Sequence, residues 1–494
     1  MSASFTEKHN LLGEKARSEI ERLKENLKAT DIKMVRMVWS DSHGQARAKL
    51  LPLKVFLDSF VDGYNTNVAT FTLDSSGGRV FRSFIQGGGM DLDEMTGSPN
   101  LVLIPDPSTF RILPWAGGVG WVMCDEYFTD GKPFYFSSRR RLREQTENLA
   151  GRGASLTVGL EIEWYLRRVE TLYTTENTGV PGQRGKAIDT LPVEPGYSYH
   201  SETNLDLIQP LLNELYDAYQ LLKIPLRSIE NEYGPGQVEC TFSPTSALTA
   251  ADNYLLFRTA TRQICRRHGY FATFMCKPHF EGYYPSGWHL HQSLTDLKTG
   301  ENLCTPDHSD EVFSQFGRRY LAGLLEHAPE ATVFATPTVN GYQRFKPNSL
   351  APDRATWSYD HRGAMLRVLG GPGDPSTRVE NRIGEPAANP YLFIASQIVC
   401  GMAGIENHSD LWDADPEPYE ADRPKLPGTL GAALAALDSS ALFRKEFGDK
   451  YIDYYLALKR AELSRYEAYI AEHAPDDAGN GVSGWERDEY FDFF

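Results

Sequence analysis

The amino-terminal part of the chain shows short helical and alternating patterns of apolar residues. Between residues 9 and 28, leucine, isoleucine and alanine recur at helical spacing, which predicts a helix. From residue 33 the pattern changes to alternation and predicts two strands, at 33–39 and 46–51. The turn signal Asp-Ser-His-Gly at 41–44 separates them. These segments predict a hairpin that opens a small α+β domain.

Two further strand patterns, at 68–73 and 101–104, extend this domain. The next segment, 105–115, contains three prolines and is typical of a boundary loop. We therefore expect the domain junction within residues 115–135.

Amphipathic helical patterns separated by short strands dominate the rest of the chain. Helices are predicted at 139–149, 205–222, 429–437 and 451–473. The segment 386–405 carries no formal charge, so a membrane span is an alternative there. Its prolines and polar residues leave an apolar stretch shorter than the roughly 20 residues that a span needs, which favours a buried core helix.

The overall composition is acidic, with 50 Lys and Arg against 66 Asp and Glu and a net charge of −16. Such a surface repels nucleic-acid phosphates and anionic membranes, so neither is an expected partner. The six cysteines form no CxxC pair and lie in apolar or mixed runs, which is typical of reduced, buried thiols. The first residues show no signal-peptide pattern, and we expect a cytoplasmic protein.

Charged residues recur two positions apart within strand-like surroundings. They are Glu161 and Glu163, Glu232 and Glu239 around a Gly-Pro-Gly turn, His289 and His291, and Arg378, Glu380 and Arg382. Because residues i and i+2 of a strand point to the same face, each stretch can direct its members to one site. Taken singly, an acidic pair is more often a solvated strand face, and a His-x-His pair more often serves packing.

Taken together, these residues indicate a metal site. Five carboxylates and one or two histidines on converging strand faces would be mutually repulsive without cations. An oxygen-rich set with one imidazole per ion suits Mg²⁺ or Mn²⁺ rather than zinc.

Arginines cluster in the same part of the chain, at Arg344, Arg362, Arg367, Arg378 and Arg382. Planar guanidinium groups suit phosphates and carboxylates, although any one of them could be a surface ion pair. Divalent metals with several arginines are what phosphoryl transfer requires. No GxxxxGK[ST] phosphate loop is present, so a nucleotide would be held by another arrangement. The hypothesis is a metal-dependent enzyme that handles ATP.

At these residues the sequence resembles the glutamine synthetase family over nearly the whole chain. The matching stretches are GLEIEW (159–164), EYGPGQVE (232–239), ATFMCKP (272–278), SGWHLHQS (286–293), NGYQRF (340–345), RVENR (378–382) and PAANPY (386–391). The resemblance implies an amino-terminal β-grasp domain at 1–125. It also implies a catalytic domain at 126–494 with an antiparallel half-barrel, and a dodecamer of two hexameric rings with sites between neighbouring subunits.

The resemblance also implies roles for individual residues. One metal ion would be held by Glu163, Glu232 and Glu239, and a second by Glu161, His289 and Glu380. The nucleotide side corresponds to His291, Ser293, Arg367 and Arg378. Glutamate and its transferred phosphate correspond to Arg344, Arg362 and Arg382, of which Arg362 is also catalytic. Asp74 and Tyr197 correspond to amine-site positions.

The implied reaction has two steps and uses two or more Mg²⁺ (or Mn²⁺) ions per site. The γ-carboxylate of glutamate takes the terminal phosphoryl group of ATP, and an amine then displaces phosphate from γ-glutamyl phosphate. The expected partners are glutamate, ATP and a small organic amine.

Two departures from the family pattern bear on the amine. Leu350, within 347–352, stands where the family has a flap glutamate that helps to deprotonate ammonium. Tyr284 and Pro285 replace the usual Asn-Gly before the metal histidine. An apolar Leu350 with Tyr284 and Trp288 nearby in sequence suits an apolar or aromatic amine, and both Leu350 and Tyr284 are expected to contact it. An aromatic amine is largely unprotonated at neutral pH, so its reaction depends less on a flap base than that of a protonated amine. The sequence therefore favours an aniline-type amine.

Three alternatives stay open. One is a ligase for polyamines, alkylamines or ethanolamine, and another is ordinary glutamine synthetase. The third is a non-catalytic ring protein of the same fold. Such a relative would usually have lost metal ligands, whereas all six candidates are present here.

Overall fold

The computed structural model describes residues 3–171, 173–306, 308, 311, 313–473 and 481–494. The amino-terminal part forms a six-stranded sheet of order β2-β1-β6-β4-β3, with β5 paired to β6. Its strands are β1 (Met34–Ser40), β2 (Ala46–Pro52), β3 (Tyr64–Asn67), β4 (Asn100–Pro105), β5 (Arg111–Ile112) and β6 (Val119–Phe128). Helices α1 (Phe5–Lys8), α2 (Glu14–Leu27) and α3 (Leu53–Asp62) accompany this sheet. The predicted hairpin is confirmed as antiparallel β1 and β2, and the strand predicted at 101–104 is β4.

The strand predicted at 68–73 is wrong, because Val68–Phe71 is a 3-10 helix that follows β3. The Asn67 side chain caps it, since Asn67 Oδ1 accepts a hydrogen bond from Ala69 N at 2.8 Å. Val68 and Phe71 are both buried. Their three-residue spacing suits one face of this tighter helix.

Strand β6 runs through the expected domain junction. It pairs with β1 over residues 119–123 and with β4 over 124–128, so the first sheet extends to residue 128. A division at residue 125 falls inside this strand. We propose to place the boundary in the segment 129–137 instead.

The second sheet has ten strands, and its main path is β14-β15-β16-β13-β7-β10-β9. These are β7 (Ala154–Val169), β8 (Thr190–Pro192), β9 (Leu226–Asn231), β10 (Gln237–Phe242), β11 (Thr245–Ser246), β12 (Tyr270–Thr273), β13 (Trp288–Asp296), β14 (Trp357–Tyr359), β15 (Leu366–Leu369) and β16 (Arg378–Gly384). All pairs are antiparallel except β14 with β15. The fold is therefore α+β with an antiparallel half-barrel, as predicted.

Helices alternate with these strands along the chain, and several of them pack against the sheet. They are α4 (Ser138–Gly151), α5 (Glu202–Leu221), α6 (Ala247–Arg267), α7 (Gln315–Glu326), α8 (Ala328–Ala335), α9 (Pro390–Glu406), α10 (Leu430–Asp438), α11 (Ala441–Phe447), α12 (Asp449–Glu472) and α13 (Gly484–Tyr490). The four predicted helices are confirmed as α4, α5, α10 and α12. The uncharged segment forms α9, which is almost wholly buried. Within the described residues, no helix has the length and apolar character needed to cross a membrane.

Candidate active site

The acidic and histidine pairs lie on neighbouring central strands. Glu161 and Glu163 are on β7, where His289 of β13 pairs with Glu161 and Glu239 of β10 pairs with Glu163. Glu380 of β16 pairs with His291. Strand alternation turns these side chains to the face opposite the helices.

The first group of candidate metal ligands is Glu161, His289 and Glu380, whose ligand atoms all lie within 4.8 Å of one another. His289 Nδ1 lies 2.5 Å from Glu161 Oε1 and 3.7 Å from Glu380 Oε1. The group is the one that the family resemblance implies for the second metal ion.

The second group is Glu163, Glu239 and His289, again within 4.8 Å. His289 Nε2 is 3.9 Å from Glu163 Oε1, so one imidazole lies between the two groups. Glu232, the other residue predicted for this ion, follows β9 and lies outside both groups of described residues. Its charge nevertheless interacts with those of Glu163 and Glu161.

The electrostatics of this cluster fit bound cations. Burial, reinforced by the charge of Glu163, raises the pKa of Glu232 to about 8. Burial, with the charges of Glu161 and Glu163, raises the pKa of Glu239 to about 11. Without counter-charge these carboxyls cannot all ionise at neutral pH. The oxygen-rich donors and single shared imidazole therefore fit divalent metal ions.

Two groups that the sequence analysis did not identify hold Glu163 in place, and a third holds one of them. Gln237 Nε2 and Gly287 N each donate to Glu163 Oε2 at 2.9 Å. Gln237 Nε2 also lies 3.1 Å from Ser286 Oγ, which is buried. Their position inside the stretches 232–239 and 286–293 is the only sequence signal that could have marked them. Such partners orient a ligand carboxylate.

Two of the predicted arginines flank Glu380. Arg367 Nη1 lies 3.0 Å from Glu380 Oε2, and Arg382 Nη1 bonds Glu380 Oε1. Although burial opposes it, Arg382 holds the pKa of Glu380 below its ordinary value. Arg378 Nε donates to His291 Nδ1 at 3.2 Å. These three guanidinium groups belong to residues that the resemblance assigns to the nucleotide or the phosphate.

Arg344 is buried and fixed by main-chain carbonyls. Its Nη1 donates to Ile383 O at 3.1 Å and Gly384 O at 2.6 Å. A Cβ at Gly287 would lie 2.8 Å from Arg344 Nη2 and 2.9 Å from His289 Nε2. Only glycine at position 287 leaves room for both Arg344 and the candidate metal ligand His289.

The other predicted residues lie around this cluster. Ser293 is on β13, two residues beyond His291 and on the same face. Arg362 is exposed on the loop between β14 and β15. Leu350 is 65% exposed, and its carbonyl accepts a hydrogen bond from Arg382 Nη2 at 3.3 Å. This bond joins Leu350, which the resemblance places on a flap, to the arginine beside Glu380.

Trp288 does not line the site, which corrects the sequence-based interpretation. It precedes His289 on β13, so strand alternation turns it to the helix side. It is fully buried, stacked on Tyr254 of α6 at 4.4 Å and edge-on to Phe393 of α9 at 5.0 Å. Tyr284 and Tyr197, in contrast, are half exposed on loops beside Glu232.

Asp74 is buried in the loop 73–78 and bonded to Arg465 Nε at 2.9 Å and Gly78 N at 2.9 Å. Although burial opposes it, Ser76 and Arg465 keep the pKa of Asp74 below its ordinary value. Among the described residues, no hydrogen bond or ion pair joins Asp74 to the metal-ligand candidates.

Comparison with known proteins agrees with this geometry. Residues 136–476 match the family model for the glutamine synthetase catalytic domain. The γ-glutamylanilide synthase of Acinetobacter sp. is 42% identical over 99% of this chain and 98% of that protein. The γ-glutamylethanolamide synthetase GlnA4 of Streptomyces coelicolor is 29% identical over 92% of this chain and 94% of that protein. A solved complex of GmaS with ADP superposes with a TM-score of 0.75 at 26% identity, covering 90% of this chain and 96% of that one.

The fold and the site therefore define an ATP-dependent glutamate–amine ligase that works with divalent metal ions. The chain belongs to the glutamine synthetase family.

Proposed function

We propose that this ligase joins the γ-carboxylate of glutamate to an aromatic amine of the aniline type. The observation that carries the proposal is Leu350, an exposed apolar side chain whose backbone is bonded to Arg382 at the edge of the ligand cluster. The 42% identity to a γ-glutamylanilide synthase supports the same amine class.

The first step forms γ-glutamyl phosphate. A γ-carboxylate oxygen of glutamate attacks the terminal phosphorus of ATP, and the bond to the ADP oxygen breaks. Arg344, Arg362 and Arg382 would hold the glutamate and the transferred phosphate, because guanidinium forks match both groups. His291, Ser293, Arg367 and Arg378 would lie on the nucleotide side.

Two Mg²⁺ or Mn²⁺ ions would be held by Glu163, Glu232 and Glu239, and by Glu161, His289 and Glu380. When bound, they neutralise charge on the carboxylate and phosphate oxygens. The protein's own part is to fix Glu163 through Gln237 and Gly287, and to place arginines on both sides of Glu380.

In the second step the amine nitrogen attacks the γ-carbonyl carbon, the bond to phosphate breaks, and the nitrogen loses one proton. Ammonium must lose a proton before it can attack, whereas an aromatic amine is already neutral at pH 7. Leu350 can neither accept a proton nor attract a cation, so it favours the second kind of nucleophile. Tyr284 and Tyr197 are further candidates for contacts to the amine.

The proposed assembly is a dodecamer of two hexameric rings, supported by family membership along nearly the whole chain. Asp74 would then act in the site of a neighbouring subunit, since it is engaged by Arg465 within its own chain.

The six cysteines are all free and buried, which supports a cytoplasmic location.

Phosphate release from ATP in the presence of glutamate and a single amine tests the proposal. Aniline should give the highest kcat/KM among aniline, ethanolamine, isopropylamine, putrescine and ammonium, and mass spectrometry should identify γ-glutamylanilide. Preference for ethanolamine would instead indicate the amine named for its 29% identical relative, the γ-glutamylethanolamide synthetase. Preference for ammonium would make it an ordinary glutamine synthetase, and no turnover with any amine would support a non-catalytic ring.

A further inference from the structure

Three loops meet beside Glu232, and each presents a partly exposed tyrosine. Tyr197, Tyr233 and Tyr284 are 48%, 40% and 48% exposed. Contiguous exposed aromatic surface on a folded protein marks a binding site more often than chance. Tyr233 directly follows Glu232, and Tyr233 N donates to Glu232 Oε2 at 3.2 Å. The aromatic surface therefore begins at a metal-ligand candidate.

Tyr233 is the middle ring of this surface. Its centroid lies 4.8 Å from that of Tyr284, with the planes at 85°, and 5.8 Å from that of Tyr197, with the planes at 79°. Both are edge-to-face arrangements, the geometry that aromatic pairs prefer.

Hydrogen bonds fix the ring of Tyr197 and the backbone of Tyr284. Tyr197 N donates to Tyr233 O at 2.7 Å, and Tyr197 Oη donates to Gly282 O at 3.1 Å. The buried Tyr165 Oη donates to Tyr284 O at 2.8 Å and accepts from Tyr284 N at 3.1 Å. The loop segments that carry the three tyrosines are thus held together by hydrogen bonds, and their rings contact each other edge to face.

A buried carboxylate joins two of these loops. Glu194 is 5% exposed, and its two oxygens accept hydrogen bonds from Gly196 N and Gly236 N. Gly196 adopts a positive φ of 71°, and a Cβ there would lie 2.7 Å from Pro235. Glu194 therefore holds the Tyr197 loop against the turn between Glu232 and Glu239.

We propose that Tyr233, flanked by Tyr197 and Tyr284, is the wall that selects the arene ring of the amine, and that Glu194 is its positioning residue. The proposal rests on the function proposed above. A flat arene can make edge or face contacts with this wall, whereas a small amine without a ring cannot. The wall thus favours aromatic amines without contributing to phosphoryl transfer from ATP.

The variants Tyr233→Ala and Tyr233→Phe test this wall, with Tyr216→Ala as the matched control because Tyr216 is an exposed tyrosine on α5. Each enzyme is assayed with aniline and with hydroxylamine, a nucleophile without a ring, and the KM values for glutamate and ATP are measured. For Tyr233→Ala, kcat/KM with aniline should fall about tenfold. The value with hydroxylamine and both KM values should stay within about twofold. Tyr233→Phe and Tyr216→Ala should behave as the wild type.

An equal loss with aniline and hydroxylamine, or no loss with either, would overturn the proposal for Tyr233. Glu194→Gln has one acceptor oxygen where the carboxylate has two, so it should raise KM for aniline while KM for ATP is unchanged. A parallel change in KM for aniline and KM for ATP would mean that Glu194 only stabilises the fold and does not position the wall. If the wild type uses aniline but Tyr233→Ala is unaffected, only the wall is wrong. If the wild type rejects aniline, the proposed function and the wall both fail.

Discussion

Glu161 and His289 lie opposite each other on antiparallel β7 and β13, with the carboxylate Oε1 2.5 Å from the imidazole Nδ1. The other imidazole nitrogen, Nε2, is 3.9 Å from Glu163 Oε1. His289 is thus the residue that the two groups of candidate ligands share. Its loss should impair both groups rather than one.

His289→Asn should therefore remove most of the thermal stabilisation that Mn²⁺ gives to the wild type, because a ligand that binds only the folded state raises its stability. We expect apparent Mn²⁺ affinity to fall at least about tenfold, measured by the shift of Tm with Mn²⁺ concentration. His327→Asn is the matched control, since His327 also bonds a carboxylate, Glu330, but belongs to neither group. An undiminished Mn²⁺ shift in His289→Asn would contradict the metal assignment.

Leu350→Glu should change the choice of nucleophile. A carboxylate on the flap would attract ammonium and accept its proton, while it would place charge beside an aromatic ring. We expect kcat/KM to rise with ammonium and to fall about tenfold or more with aniline. Leu297→Glu, at another exposed leucine, should change neither value. Unchanged selectivity in Leu350→Glu would show that the flap residue does not face the amine.

Glu126 should give the stability a measurable pH dependence. It is buried on β6, Oε2 accepts from Ser137 Oγ at 2.6 Å, and Oε1 has no hydrogen-bond partner among the described residues. Burial raises its pKa from 4.5 to about 8. The folded state thus keeps this proton between pH 4.5 and about 8, while the unfolded state loses it. The contribution of Glu126 to the free energy of unfolding is fully present below pH 4.5. It is lost as the pH rises to about 8 and above, and this loss amounts to about 5 kcal/mol.

Glu126→Gln mimics the neutral acid and should remove this loss. The Tm of the variant relative to the wild type should be higher at pH 8 than at pH 5.5, measured by calorimetry. For Glu147→Gln, at an exposed position on α4, the difference in Tm from the wild type should be the same at both pH values. A difference for Glu126→Gln that does not depend on pH would mean that the carboxyl is ionised in the folded protein.

Trp288→Phe should affect stability and leave amine selectivity unchanged. The indole packs between α6 and α9 on the helix side of the sheet, so a smaller ring leaves a void there. We expect the free energy of unfolding to fall by about 1–3 kcal/mol. The ratio of kcat/KM for aniline to that for ethanolamine should stay within about twofold. A marked change in that ratio would place Trp288 in the amine site after all.

The shared face of each charged pair could be predicted from the sequence, because residues two positions apart in a strand point to the same side of the sheet. Glu161 and Glu163, and His289 and His291, accordingly meet in the structure. The same rule, applied to Trp288, would have turned it away from the site. Nearness in sequence to His289 was the misleading signal.

Other parts of the site depend on contacts between distant segments. Glu194 bonds Gly236, 42 residues away, and Gln237 of β10 reaches Glu163 on the neighbouring strand β7. No local pattern marks such pairs. The 3-10 helix at Val68–Phe71 is a different case, because its signals are local: Val68 and Phe71 are three residues apart, and Asn67 caps the first turn.

A competition between amines tests whether this enzyme prefers an aromatic nucleophile. The wild-type enzyme would be given ATP, Mg²⁺, limiting glutamate and equal concentrations of aniline, ethanolamine, isopropylamine, putrescine and ammonium, with the products quantified by mass spectrometry. γ-Glutamylanilide should be the main product, because Leu350 favours a nucleophile that is already neutral before it attacks. Glutamine or an aliphatic γ-glutamylamide as the main product would contradict the account.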